Sequence, residues 1–305
     1  MNLLNSYVNG NTTVEIFDDG TKIRTFDGTP SVVHPESIDV KITDYCNAGC
    51  SFCHEQSTMA GKHGDLNVLL HHLLTLPAGV EIAIGGGNPL AHPDLVSFLE
   101  KIKSHGIIAN ITVNEKHLLP YQNLLIKLAS EKLINGIGIS YATSNRLKYV
   151  TPIMSVTDNI VFHMIMGIND VNDILVINNF CKENNKKCKI LVLGYKQYGF
   201  GLNYYLKNKS IEDNKYQWFI HLAKFFKKEN IVLSFDNLAI KQMELKRFFT
   251  DEAWNNFFMG KDGEFTCYMD AVKQEFAKSS TTKERVSFND SSLLNFFKGL
   301  SNNKD

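Results

Sequence analysis

Apolar and polar residues follow two rhythms along this chain. Between residues 37 and 193, short apolar runs rich in Ile and Val recur at residues 37–42, 80–84, 107–113, 134–140, 160–166 and 189–193. Runs of that length and composition read as buried strands. Between them the apolar positions take helical spacing, over residues 65–76, 93–105, 121–130 and 171–183, with Pro93 and Asp94 suited to a helix's opening turn. Regular alternation of strand and helix predicts an α/β fold with a parallel sheet.

The flanks differ. Residues 14–24 alternate apolar and polar about Asp19-Gly20, which predicts a β-hairpin that covers one end of the sheet rather than binding a ligand. After Gly201 the pattern predicts a helix over 212–228, a strand over 231–235, a helix over 238–249 and a hairpin over 264–278. A last helix over 292–298, stopped by Gly299, and a polar tail over 301–305 complete it. The chain therefore divides into an N-terminal hairpin extension (1–36), a βα core (37–200) and an α+β extension (201–305) packed against the core.

Composition adds bounds. With 305 residues, 44% hydrophobic and 21% charged, the chain can bury a large core. Lys plus Arg and Asp plus Glu number 32 each, so no overall field favours nucleic acid or an anionic membrane. No apolar window is long enough to span a bilayer and the first residues lack a targeting pattern, so no membrane partner and a cytoplasmic location are expected.

Candidate chemistry sits where the first core strand ends. Cys46, Cys50 and Cys53, at C-x3-C-x2-C spacing, can each ligate one iron of a cubane cluster, leaving the last iron open to a small ligand. Cys181, Cys188 and Cys267 are scattered, so no second cluster is expected. The rival is a zinc-binding interaction protein, with His54, His63, His71 or His72 completing a Cys3His set. His54 adjoins Cys53, which makes joint ligation awkward, and zinc leaves the glycines Gly85, Gly86 and Gly87 at the next strand end unexplained.

Those cysteines, with Phe52 before the last of them, and the run Gly86-Gly87-Asn88-Pro89-Leu90 followed by His92-Pro93-Asp94-Leu95, resemble the radical S-adenosylmethionine (radical SAM) enzymes. The resemblance implies a partial (β/α)6 barrel, a [4Fe-4S] cluster on Cys46, Cys50 and Cys53, and S-adenosylmethionine (SAM) on the open iron. It implies SAM contacts from Phe52, Gly86, Gly87, Asn88, Pro89, Asn114 and Ser140. The family's second motif usually carries glutamate where this chain has Asn88, a neutral acceptor without a charge to pair with the methionyl ammonium. Reductive cleavage of SAM to a 5'-deoxyadenosyl radical, fed by a donor such as flavodoxin or ferredoxin, would then abstract hydrogen from a substrate. A small molecule or nucleotide is expected; a peptide is the alternative.

Further candidates come from alternation. With Phe162, Met164 and Met166 on the helix side, His163 faces the lumen as a substrate handle; the alternative is a core histidine. Lys196 and Asp236 follow strands and are solvated loop residues or substrate contacts. Cys267 shares an apolar face with Phe265 and Met269, either as packing or, if the hairpin closes the barrel, as a hydrogen-atom donor to a substrate radical.

Overall fold

The structure is a computed structural model that describes residues 2–226 and 228–302. The N-terminal segment forms an antiparallel sheet, β1 (Leu3–Asn9), β2 (Thr12–Phe17) and β3 (Lys22–Phe26). The expected hairpin is β2–β3, with Gly20 in its turn at φ 87°. Pairing of β1 along β2 adds a strand that the pattern had not predicted.

The apolar runs become the parallel strands β4 (Ser37–Thr43), β5 (Glu81–Gly86), β6 (Ile108–Asn114), β7 (Gly136–Ser140), β8 (Ile160–Ile165) and β9 (Cys188–Leu193), each hydrogen-bonded to the next. Helices Leu66–Leu73, Leu95–Ser104, Gln122–Ser130 and Asp173–Glu183 return the chain between strands. Alternation decides the two faces. Ile38, Val40 and Ile42 of β4 join Leu69, Leu73, Phe98 and Leu99 in the apolar layer between sheet and helices. Each such side chain contributes about 1.5–3 kcal/mol on burial. The intervening Asp39 and Lys41, in register with Ala83 and Gly85, turn to the other face, the barrel lumen.

The segment after Gly201 extends this same sheet at both edges. β10 (Ile231–Phe235) pairs parallel to β9, while β11 (Thr266–Asp270) pairs parallel to β4 and leads into the antiparallel β12 (Glu275–Ala277) and β13 (Val286–Ser287). The result is one sheet of 10 strands, with β10 and β13 at its ends. The hairpin expected over 264–278 is β11–β12.

Helices in this segment are shorter than their apolar pattern suggests. The expected 212–228 helix is Ser210–His221, followed by the 3-10 turn Leu222–Lys224; residue 227 lies outside the described residues, and helix Phe200–Lys207, which ends where the Asn208 backbone turns to ψ 86°, was not expected. Glu244, in the left-handed region at φ 48°, ends helix Asn237–Gln242 before the 3-10 turn Leu245–Phe248. Helix Asp251–Phe257, capped by Thr250, was not expected. The final helix runs through Gly299 to Asn302, because Leu300 continues the face packed on the core; residues 303–305 of the polar tail lie outside the described residues. Among the described residues no helix is long and apolar enough to cross a membrane.

The small N-terminal sheet covers the end of the barrel from which the strands start. Lys22 pairs with Glu81 at the start of β5 (2.7 Å), Arg24 pairs with buried Glu36 before β4 (2.6 Å), and Lys189 of β9 donates to the Asp19 carbonyl (2.9 Å). In parallel α/β folds functional groups gather at the opposite end, where the strands finish.

Candidate active site

At that end β4 stops at Thr43 and the chain leaves as the loop bearing Cys46, Cys50 and Cys53. Three neighbours hold the loop. From the end of β5, the Gly87 N–H donates to the Thr43 carbonyl (2.7 Å) and the Asn88 N–H to the Tyr45 carbonyl (2.6 Å). From the helical turn Glu115–Leu118, Lys116 Nζ donates to the Ala48 carbonyl (2.5 Å) and the His117 ring meets Asn47 Oδ1 (2.9 Å). Beyond β9, the Phe200 N–H donates to the Cys53 carbonyl (3.0 Å).

Two glycines of the triplet serve the loop itself. A Cβ on Gly86 would lie 2.5 Å from the Thr43 oxygen and one on Gly87 2.2 Å from the Tyr45 oxygen, so these two positions admit the cysteine loop's own backbone. Gly85 is the one with open space above it, on the lumen face in register with Lys41.

Cys46, Cys50 and Cys53 are all partly exposed, whereas Cys181, Cys188 and Cys267 are buried. Cys46 and Cys50 line a cavity of about 410 Å³ together with Ser57, Met59 and Phe200. Among the described residues no three Cys, His, Asp or Glu side chains converge on a single-ion site. Single-zinc ligation needs donors drawn to about 2.0–2.3 Å of one point. A cube, with an iron at each of several corners, asks instead for three separated thiols on one loop. His54 is likewise turned away, its Nε2 meeting Lys196 Nζ (3.3 Å) and Glu55 Oε1 (3.3 Å).

The neighbouring strand ends bring the other candidates alongside. Asn114 closes β6, where its Oδ1 caps the following turn at Lys116 N (3.0 Å) and its Nδ2 reaches Cys50 Sγ (3.6 Å). Ser140, in register with Asn114 and His163, stands at the end of β7. Phe52 packs edge-on against Tyr204 with centroids 5.8 Å apart. Pro89 opens a 3-10 turn. Asn88 is wholly buried, and among the described residues neither atom of its amide has a hydrogen-bond partner. An unpaired buried amide is costly unless a ligand completes it.

His163 lies on the lumen face, its ring over Gly138, where an added Cβ would come within 2.5 Å of Nε2. Burial pushes its imidazole down to about 4, so it is neutral at pH 7. With the folded value depressed, the neutral ring's contribution is present above 6.5 and lost as pH falls toward 4. His163→Leu is accordingly expected to lessen the drop in urea midpoint over that interval. Equal drops in variant and parent would refute the assignment.

Cys267 is placed elsewhere. Parallel pairing puts it beside Ile38, 2% exposed, in the layer between sheet and helices, while Tyr268 and Asp270 take the lumen face with Asp39 and Lys41. That register overturns the hydrogen-donor reading and leaves Cys267 as packing. Cys267→Ala is expected to cost about 1 kcal/mol of stability, read by denaturant midpoint, and to leave SAM cleavage unchanged. Asp236 also takes the plain role, its Oδ1 accepting from Ala239 N (2.6 Å) and Gly194 N (2.9 Å).

What the pattern did not single out is a polar network behind the loop. Lys41 Nζ lies 2.7 Å from Asp44, 2.8 Å from Glu55 and 3.2 Å from Asp270. Tyr268 donates to Glu55 (3.5 Å), and Lys196 Nζ, besides meeting His54, donates to Ser280 Oγ (2.9 Å). The network ties β4, the cysteine loop, the end of β9 and the β12–β13 connection together. One signal was available: Asp39 and Lys41 interrupt an apolar strand at alternate positions, which aims charge into the lumen.

Comparison with known proteins agrees with this geometry. Solved structures of SuiB from Streptococcus suis, bound to precursor peptide SuiA or to S-adenosylmethionine, superpose with TM-scores of 0.64 and 0.59 at 14% identity. They cover 89% of this chain and 67% and 66% of those chains, and at that identity they show the fold. A probable GTP 3',8-cyclase of Methanothermobacter thermautotrophicus (strain Delta H) is 31% identical over 118 residues, covering 37% of this chain and 37% of that protein. The Radical SAM superfamily model matches residues 40–198, more than half of the chain, from within β4 to past β9. The chain therefore belongs to the radical SAM superfamily, enzymes that use a [4Fe-4S] cluster and S-adenosylmethionine.

Proposed function

We propose that the chain holds the cluster on Cys46, Cys50 and Cys53, binds SAM across the ends of β5, β6 and β7, and acts on a small-molecule or nucleotide substrate in the lumen. The observation that carries this is the pinned loop of three partly exposed thiols beside open Gly85, unpaired Asn88, and Asn114 and Ser140. When bound, cluster and SAM together supply a 5'-deoxyadenosyl radical that takes a hydrogen atom from substrate. The protein's own share is positioning. Asn114 Nδ2 faces a ligating thiol, Asn88 offers amide oxygen and nitrogen to the methionyl end, Gly86, Gly87 and Pro89 shape that turn, and Phe52 shields the loop. Neutral His163 offers a hydrogen bond to substrate without a proton that titrates near pH 7.

A nucleotide substrate draws support from the partial likeness to the GTP 3',8-cyclase. Peptide modification is the second reading, favoured by the fold shared with a peptide-bound enzyme and by half-exposed Val232 on the edge strand β10. An electron donor such as flavodoxin or ferredoxin, a cytoplasmic location and the division at residues 36/37 and 200/201 belong to the same proposal.

The test is anaerobic reconstitution, reduction with dithionite and assay of 5'-deoxyadenosine, together with SAM affinity by equilibrium dialysis. Asn88→Ala is expected to weaken SAM binding by about 1 kcal/mol, the worth of one buried hydrogen bond. Unchanged affinity would remove Asn88 from the SAM site, and absence of 5'-deoxyadenosine from a cluster-loaded protein would sink the reading as a whole.

A further inference from the structure

A second cavity, of about 670 Å³, lies between the cysteine loop and the β12–β13 connection. That volume suits a small molecule. Its wall carries Lys273, Lys283 and Arg285, with the hydroxyls of Ser280, Thr281 and Thr282 beside them. Of the carboxylates on the same wall, Asp44 and Glu55 are engaged by Lys41. Glu275 remains against three cations, none of which is ion-paired to a carboxylate among the described residues. Arg285 is held in place: Nη2 donates to the Ser280 carbonyl (2.8 Å) and the guanidinium lies 5.1 Å over the Tyr268 ring. Its Nη1 is buried and has no acceptor among the described residues, a costly state for a charged donor.

We propose that this cavity is a phosphate-binding subsite, taking the phosphates of a nucleotide substrate whose reacting part extends past Lys41 and His54 toward the lumen. Clustered cations with a fixed guanidinium fork and several hydroxyls match the charge and the many acceptor oxygens of a phosphate. The cavity shares Lys41 with the lumen wall and His54 and Glu55 with the cysteine loop, so a ligand anchored there borders the reacting site. The inference rests on the proposed function for calling the ligand a substrate; the anion site itself does not depend on radical chemistry.

The experiment is calorimetric titration of the cluster-loaded, unreduced enzyme with inorganic pyrophosphate and then with nucleoside triphosphates. Pyrophosphate is expected to bind saturably and more weakly as salt is added. Arg285→Gln, and separately the double variant Lys273→Gln/Lys283→Gln, should each weaken it about tenfold or more with SAM affinity kept. The lysine pair is exposed, so that variant keeps the test sound if loss of Arg285 disturbs folding. A nucleoside triphosphate should compete with pyrophosphate and bind more tightly. No saturable binding, or equal binding by parent and variants, overturns the site; pyrophosphate binding that no nucleotide improves upon makes it an inorganic-anion site and overturns the substrate assignment. Because binding is read without reductant it is independent of cleavage: an enzyme that binds pyrophosphate yet gives no 5'-deoxyadenosine in the separate dithionite assay sinks the radical reading and leaves the anion site standing.

Discussion

Alanine at Cys46, Cys50 or Cys53 is expected to abolish SAM cleavage, and the triple variant to lose its iron and sulfide while remaining folded. The fold survives because the loop is held by backbone contacts that do not involve the thiols: Gly87 to Thr43, Asn88 to Tyr45, Lys116 to Ala48 and Phe200 to Cys53. None of the three thiols is part of the buried core, so their removal leaves no cavity there. Cys181→Ala, in the helix-side layer, serves as the contrast: it should lower stability without changing iron content. Iron and sulfide analysis with far-UV circular dichroism separates the two outcomes. A triple variant with the parent's iron content would show that other residues hold the metal.

The second large effect is on stability, at Lys41. Its side chain is 5% exposed and its ammonium faces Asp44, Glu55 and Asp270, so Lys41→Met would leave three carboxylates crowded without their cation. Breaking a buried pair from one side costs about 3–5 kcal/mol. Burial alone would lower the Lys41 pKa, but the charge of Glu55 and the hydrogen bonds to Asp44 and Glu55 outweigh it and raise the value. Burial would raise the Glu55 pKa, and its partners His54 and Lys41 more than reverse that. His54 is itself held below its ordinary value by burial and by the Lys196 charge, hence neutral at pH 7, so Lys41 is the cation that keeps Glu55 ionised there.

The signs follow. Lys41 contributes fully below its ordinary 10.5 and loses that contribution as pH rises through the raised value; Glu55 contributes above its ordinary 4.5 and loses as pH falls. Between those limits the stability gap separating parent from Lys41→Met should stay level, and it should narrow outside them. Denaturant midpoints across pH provide the measurement. A gap under about 1 kcal/mol at neutral pH would show the network to be a solvated surface cluster, and Lys41→Arg should recover part of the loss.

Much of the fold was readable because strand and helix periodicity are local. Ile38, Val40 and Ile42 alternate with Asp39 and Lys41, which by itself separates helix side from lumen, and the same rule placed His163 correctly between Phe162 and Met164. Close spacing of Cys46, Cys50 and Cys53 after a strand end was equally local, and so was the Gly-Gly-Asn-Pro run. These elements pointed to the family and its cofactors.

Tertiary structure decided what depends on partners distant in sequence. Alternation gave Cys267 an apolar face, but only the register of β11 against β4, pairing residues more than two hundred positions apart, fixed that face to the helix side. Gly86 and Gly87 showed their use only once the cysteine loop's carbonyls lay against them. Leu300 carried the last helix past Gly299 because a core was there to receive it. The Lys41 network joins Asp44, Glu55 and Asp270 from three segments, and no window of sequence contains all of them. Periodicity reports which side of an element is buried; what it is buried against is set by packing, which the chain acquires only on folding.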